Sequence, residues 1–277
     1  MLDVFKGLKV ATKLTSALFM TAMLGMSSQV IANEAETAQS IIKKAELAAY
    51  YAGNDGKSQA RMLIVDSQDR KQMRQFTILK KDVKDGGDQK MLVFFSRPTD
   101  VSGMVFRVEK HNGQGQEDDR WLYLPGLDLV KRISAGDKRT SFVGSHFFYE
   151  DVSGRATSED TFELLEQTDS AYILSAKPKD PSSVEFSRYR VSIDKKTFLP
   201  MEIRFFDAKD NETRRVESLE VETIQGFPTV TKSKVTDLVG GGYTLMEFRG
   251  IEYNLGLPDD LFTERSLRTP PLEWLRK

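Results

Sequence analysis

The sequence predicts a mainly β protein built on one antiparallel sheet, with a single helix ahead of it. From Arg61 to Tyr253, short runs of apolar residues alternate with polar ones at period two and are separated by turn residues. Only one stretch, near the start, repeats its apolar residues at helical spacing, so the regular alternation of strands with long helices that marks a doubly wound fold does not occur. No internal repeat, low-complexity tract or linker divides the chain. That leaves one domain, residues 33–277, of a size that all-β proteins commonly reach.

Met1 to Ala32 has the three parts of a secretory signal. Lys6, Lys9 and Lys13 make the positive start, Leu14 to Met26 the apolar run, and Val30-Ile31-Ala32 a small-residue exit before Asn33. The apolar run is too short to span a bilayer, so the expected product is periplasmic and soluble. In the helix that follows, Ala38, Ile41, Ile42, Ala45, Ala48, Ala49 and Ala52 form one stripe and Gly53 ends it. Small side chains let a helix sit close to another surface, which places it against the concave face of the sheet.

After a loop over Gly53–Ser58, strands are expected at Arg61–Asp66, Met73–Lys80, Lys90–Ser96 and Gly103–Lys110. Leu92 to Phe95 is apolar on both faces, as in a strand covered on both sides, by the helix on one of them. A hairpin follows, from Trp121–Leu124 through Pro125-Gly126 to Leu129–Ile133, with Trp121 and Tyr123 on one face and Leu122 and Leu124 on the other. Beyond Arg155 the strands are Phe162–Gln167, Tyr172–Lys177, Phe186–Ile193, Met201–Phe206, Arg214–Val221, Thr229–Asp237 and Tyr243–Tyr253. Pro258-Asp259-Asp260-Leu261-Phe262 reads as a capped helical turn, with Asp259 as cap and Leu261 and Phe262 against the sheet edge.

Between hairpin and later strands lies an irregular, ring-rich segment. Phe142, Phe147, Phe148 and Tyr149 flank Gly144-Ser145, and with Trp121 and Tyr123 they form either an ordinary core or the mouth of an apolar pocket. Lys131, Arg132, Lys138 and Arg139 are a basic run in a nearly balanced chain of net charge −1. They read as a solvated hairpin face; the alternative is a contact for a partner or for lipid headgroups. The balance argues against nucleic acid as a partner.

Chemistry finds little footing. The absence of cysteine excludes disulfides, thiol catalysis, thiolate ligands and an acylated cysteine anchor. Of the two histidines, His111 sits in a turn and reads as solvated. His146 and Glu150, four apart, are at best half a metal site, short of the three or four ligands that zinc takes. Gly113-Gln114-Gly115 and Gly240-Gly241-Gly242 lack the following helix of a phosphate cradle. Neighbouring carboxylates such as Glu150-Asp151 point apart, as in capping or solvation. No cofactor, metal or enzymatic mechanism is implied.

The motifs carry a resemblance. W-x-Y-L-P at Trp121–Pro125, K-R-I-S at Lys131–Ser134 and S-F-x-G-S-x-F-x-Y-E-D at Ser141–Asp151 occur in order with RPTDVSG at Arg97–Gly103, DKKTFLP at Asp194–Pro200 and NLGLPDDLF at Asn254–Phe262. The chain thus resembles the outer-membrane lipoprotein-sorting proteins, the LolA/LolB-like periplasmic carriers, in their longer, poorly characterised branch. The resemblance implies a single antiparallel sheet curled into an incomplete, half-open barrel under a helical cover, holding an acyl chain or lipoprotein lipid. An RND-type exporter is the implied protein partner, and a non-catalytic module serving such an exporter is the alternative function.

Intact-mass analysis of the exported protein tests the leader. The expected product begins at Asn33; a mass that retains Met1–Ala32 refutes the reading.

Overall fold

Among the described residues thirteen strands form one sheet, and the two strands at its edges are neighbours in sequence. The computed structural model describes residues 36–84, 86–112 and 116–275. The expected leader, Asp85 and the Gly113-Gln114-Gly115 turn lie outside the described residues. Helix α1 (Ala38–Tyr50) precedes strands β1 (Asp55–Val65), β2 (Lys71–Asp82), β3 (Gln89–Arg97), β4 (Val105–Lys110), β5 (Asp119–Leu124) and β6 (Leu129–Ile133). A short helix α2 (Tyr149–Ser153) interrupts the connection to β7 (Asp160–Gln167). Then come β8 (Ala171–Pro178), β9 (Arg188–Asp194), β10 (Pro200–Phe206), β11 (Glu212–Ile224), β12 (Phe227–Asp237) and β13 (Tyr243–Tyr253). Two short helices, α3 (Arg265–Arg268) and α4 (Leu272–Leu275), finish the described chain.

The order across the sheet is β6-β5-β4-β3-β2-β1-β13-β12-β11-β10-β9-β8-β7. One meander runs outward from β1 to β6. The second starts at the far edge with β7 and works back until β13 pairs with β1, antiparallel like every other neighbour, with Met62 opposite Met246. The sheet is not closed: the chain leaves it at edge β6 and re-enters at edge β7. The connection 134–159 must therefore cross from one edge to the other.

Every strand expected from the sequence is present, and some are longer. β1 begins at Asp55, where a loop was expected up to Ser58. Its first residues are polar and show no apolar alternation, yet β2 and β13 flank them and satisfy their backbone groups. α1 is capped by Thr37, whose side chain accepts from the Ser40 amide at 3.1 Å. No helix among the described residues is long and apolar enough to cross a membrane.

Inside the curl are two apolar clusters. One joins Met62, Phe76, Val93, Phe95 and Phe106 of β1–β4 to Phe142, Phe147 and Tyr149 of the crossing connection. The other joins Ile41, Ile42 and Ala45 of α1 to Leu174, Val191 and Ile193 of β8 and β9. The helix thus covers the β7–β10 half and not β3; the ring-rich connection covers the inner face of β3. Each fully buried aliphatic side chain of this kind contributes roughly 1.5–3 kcal/mol.

The outer face of β2–β5 has its own cover, the chain after Asn254. Leu257, Leu261, Phe262, Leu267 and Leu275 pack on Leu79, Leu92, Phe94 and Val105. This segment lies on a sheet face, so the expected edge plug is corrected. Asp259 does not cap the turn, where Pro258 stands at the N-cap without a side-chain bond; its carboxylate lies 3.4 Å from Lys81 and from Lys90. The anchor is Asp55 instead, which accepts from the amides of Leu255 and Leu257 at 2.6 and 2.7 Å. Arg107 adds a bond from Nε to the Phe262 carbonyl at 2.6 Å.

Phe262→Ala is expected to lower unfolding stability by about 3–5 kcal/mol, the usual cost of removing a buried ring. Urea titration checks it; a loss under about 1 kcal/mol would mean that the C-terminal cover does not stabilise the sheet.

Candidate functional site

Between the two inner clusters the core is not filled. A cavity of about 340 Å³ lies there, bounded by β2 and β3 on one side (Phe76, Met91), by β10 and β11 on the other (Ile203, Val216) and by α1 above. Four strands separate β2 from β10 in the sheet, so only its curl brings these walls together. Ala48, Ala49 and Ala52 are the helix's contribution. Larger residues there would fill the space, and the small ones leave it open. Two other hollows, of about 610 and 580 Å³, are lined by more polar residues such as Arg61, Gln75, Ser96 and Arg249. Neither offers apolar walls comparable to those of the inner cavity.

The expected site residues fall into three environments. Phe147 lines the cavity. Phe142 and Tyr149 stand behind it in solid core, with Phe142 fully buried and its ring 5.7 Å from Phe95 and 5.5 Å from Phe106 and Tyr149. Phe148 is clamped between two guanidinium groups, Arg139 at 5.0 Å and Arg214 at 4.4 Å from its ring. Trp121 and Tyr123 are on the opposite side of the sheet, packed against the C-terminal cover, with Arg107 stacked on Trp121 at 4.6 Å. The alternation along β5 is as expected, but it is Leu122 and Leu124 that point inward.

The basic run divides as well. Lys131 and Arg132 are exposed on β6, Arg132 reaching Asp119 at 2.5 Å. Lys138 is buried, the Arg139 side chain is largely covered, and both are ion-paired, so they are not surface contacts for headgroups. Their partner is Glu150, 1% exposed, which Arg139 holds at 2.5 Å, Arg155 at 3.1 Å and Lys138 at 3.5 Å. Lys138 also binds Glu159 at 2.9 Å, and Arg155 binds Asp160 at 2.8 Å. Burial by itself would raise the Glu150 carboxyl, but Arg139, Arg155 and Lys138 outweigh it and hold it below the ordinary 4.5. Of the pair Glu150-Asp151, expected to cap or to be solvated, Asp151 does cap α2, accepting from the Phe148 amide at 2.6 Å, and Glu150 is corrected to a buried ion-pair partner.

This cluster fixes the connection that crosses the opening. Its far end is tied by Lys110, which donates to the carbonyls of Ser153 and Gly154 at 3.2 and 3.3 Å and lies 5.2 Å from the Tyr50 ring. Gly154 has φ +84°, and a Cβ there would stand 2.9 Å from Lys110 Nζ and 3.0 Å from the Tyr50 ring, so only glycine fits the approach.

The histidines take structural positions. His146 Nδ1 lies 2.8 Å from Thr244 Oγ1, and α2 begins three residues later, so His146 and Glu150 share no helical face. His111 is half-buried beside Asp119 at 3.3 Å and is not the solvated turn residue expected. Glu109, His111 and Asp119 place one ligand atom each within 4.8 Å of one another, but Arg107 pairs with Glu109 and Arg132 with Asp119.

Sequence reasoning passed over Phe76, Ile78 and Lys80, which alternate along the inner face of β2 and all line the cavity. Their period-two spacing was the available signal, with a lysine completing an apolar row.

These features define a class: a mainly β, incomplete antiparallel barrel with an apolar interior under a helix. The comparisons agree. A family model described as an uncharacterized protein matches residues 87–269. A DUF1329 family protein from Desulfovibrio piger is 30% identical, with TM-score 0.74 over 82% of this chain and 95% of that one. This chain belongs to the DUF1329 family. A domain from Vibrio parahaemolyticus, named for outer membrane lipoprotein sorting, is 24% identical, with TM-score 0.75 over 84% of this chain and 98% of that one. A LolA superfamily protein from Nitrosomonas europaea is 19% identical, with TM-score 0.64 over 83% and 99%. At these identities the last two establish a shared fold. No curated protein matches the chain.

Glu150→Gln is expected to destabilise the protein by about 3 kcal/mol at neutral pH, the lower end for breaking a buried ion pair, because Arg139 keeps Glu185 and Arg155 keeps Asp160. A carboxyl depressed on folding contributes stability that is present above its unfolded value and is lost as pH falls through the folded one. The gap between wild type and variant should therefore hold down to pH 4.5 and shrink only below it. Urea unfolding across that range checks both; a gap that is already closing at neutral pH would contradict the buried cluster.

Proposed function

We propose that this protein is a periplasmic carrier, exported by its N-terminal segment, that holds an acyl chain of a lipid or lipoprotein in the inner cavity. The observation that carries the reading is the cavity itself: about 340 Å³, bounded by Phe76, Met91, Phe147, Ile203, Val216 and Met246, in a fold shared with a protein named for lipoprotein sorting. Ligand pockets commonly measure roughly 300–1,000 Å³. Each methylene transferred from water contributes about 0.8 kcal/mol, so a long chain gains enough to offset its ordering. Binding without catalysis is also what the charges favour, since Glu150, Asp151 and Asp160 are committed to arginines.

A second reading keeps the exporter partner. Leu127 and Leu129 stand 73% and 46% exposed at the tip of the β5–β6 hairpin, beside Lys131 and Arg132, a surface suited to a protein contact.

A fluorescent fatty-acid analogue is expected to bind the mature protein and to be displaced by phospholipid. Ala48→Phe, which projects a ring from α1 into the cavity, should weaken binding by about 10-fold or more, equivalent to about 1.4 kcal/mol. Its melting temperature should hardly change, because the helix stays capped and its Ile41 and Ile42 stay buried. Absence of probe binding by folded wild type would put the partner-binding reading in front.

A further inference from the structure

The cavity is apolar along most of its length and cationic at one end. Phe76, Ile78 and Lys80 follow one another on the inner face of β2, so about 14 Å separates the Cα positions of Phe76 and Lys80 at roughly 3.4 Å per residue. At the Lys80 end the other wall residues include Tyr50, Thr229 and Tyr253. The Thr229 and Tyr253 hydroxyls bond each other at 2.9 Å, and elsewhere in the wall Ser218 donates to the Pro200 carbonyl at 2.8 Å. The Lys80 ammonium has three donors. One goes to the carbonyl of Tyr50 at the end of α1.

Capping the helix does not require that lysine. The Tyr50 carbonyl also accepts from Gln89 Nε2 at 2.8 Å, and Gln89 is itself buried and bound to Asp82 at 2.6 Å. A second, charged donor at the same oxygen is an expensive choice in this place. Burial pushes Lys80 down to about 8, Asp82 opposes that, and the neighbouring ammonium of Lys110 adds to it. Lys110 is spent on the carbonyls of Ser153 and Gly154, and its charge adds to the positive potential at this end. A cation in the wall of an apolar chamber, with hydrogen-bond donors beyond the one that Tyr50 takes, is placed to meet a ligand.

We propose that the cavity takes a single-chain anionic amphiphile, a long-chain carboxylate, with its chain along Phe76, Met91 and Met246 and its carboxylate on Lys80. The inference rests on the carrier reading and names its ligand. A monovalent headgroup matches the Lys80 ammonium, and a charge-assisted hydrogen bond there both orients the chain and disfavours neutral analogues. A neutral ester cannot make that charge-assisted bond to Lys80.

The test compares palmitate with methyl palmitate as displacers of the fluorescent probe from the mature protein, in wild type and in Lys80→Gln. Glutamine keeps an N–H donor near Tyr50 and removes the charge, and Gln89 keeps the helix capped; melting temperature is read alongside. Wild type is expected to prefer palmitate by about 10-fold or more, the ratio that about 1.4 kcal/mol produces. Lys80→Gln should bind the two alike while keeping its affinity for the ester. Lys80→Arg, which keeps the charge, should restore the preference. Equal binding of both ligands by wild type, or a preference that survives Lys80→Gln, overturns the assignment and leaves the carrier reading intact. Binding of neither ligand by folded wild type overturns both.

Discussion

Glu150 is a carboxylate with almost no access to water, and the way the barrel is closed off depends on it. The two meanders end at opposite edges of the sheet, so residues 134–159 must cross the opening with little backbone pairing of their own. Hydrophobic burial holds the ring-bearing part of this connection, but it cannot fix the polar stretches on either side. Arg139, Arg155 and Lys138 converge on Glu150 from before and after α2, and they tie both stretches to one point. Asp160 at the start of β7 and Glu185 before β9 extend the cluster to the far edge. Charges buried in this way need each other, because any one left alone would carry its full desolvation cost.

That fixed crossing explains why the interior holds a cavity. The connection packs Phe142, Phe147 and Tyr149 on β1–β4, while α1 packs Ile41, Ile42 and Ala45 on the strands near the other edge. Each half of the curled sheet has its own filling, and the gap between the fillings has apolar walls. α1 meets that gap with alanines, which cover it without entering it. The C-terminal cover on the outer face of β2–β5 buries the second side of Leu92 and Phe94, so the strands that carry Phe76 and Met91 are supported from behind. A rigid wall around an unfilled apolar space suits a ligand better than a flexible one does, because less order is lost on binding.

Much of the architecture is local and was therefore legible in the residues. Thirteen strands follow from period-two alternation and turn residues, α1 from its 3.6-residue stripe and Gly53, and the motifs from Arg97 to Phe262 point to the incomplete barrel. What alternation cannot say is which face looks inward. Trp121 and Tyr123 share a face of β5, but that face was decided by the chain after Asn254, more than a hundred residues away. Nor does a basic run reveal its burial: Lys131 and Arg132 are on a hairpin in water, while Lys138 and Arg139 meet carboxylates brought by α2, the turn before β7 and the loop before β9. Lys80 was hidden for the same reason, since a lysine at the end of a strand is usually solvated and only the curl of the sheet turns this one into a cavity wall. The sequence by itself determined the strands, their order along the chain and the helix, because backbone period and turn chemistry act within a few residues. The tertiary structure alone decided which rings line the cavity and which charges are buried, because both depend on contacts between segments far apart in the chain.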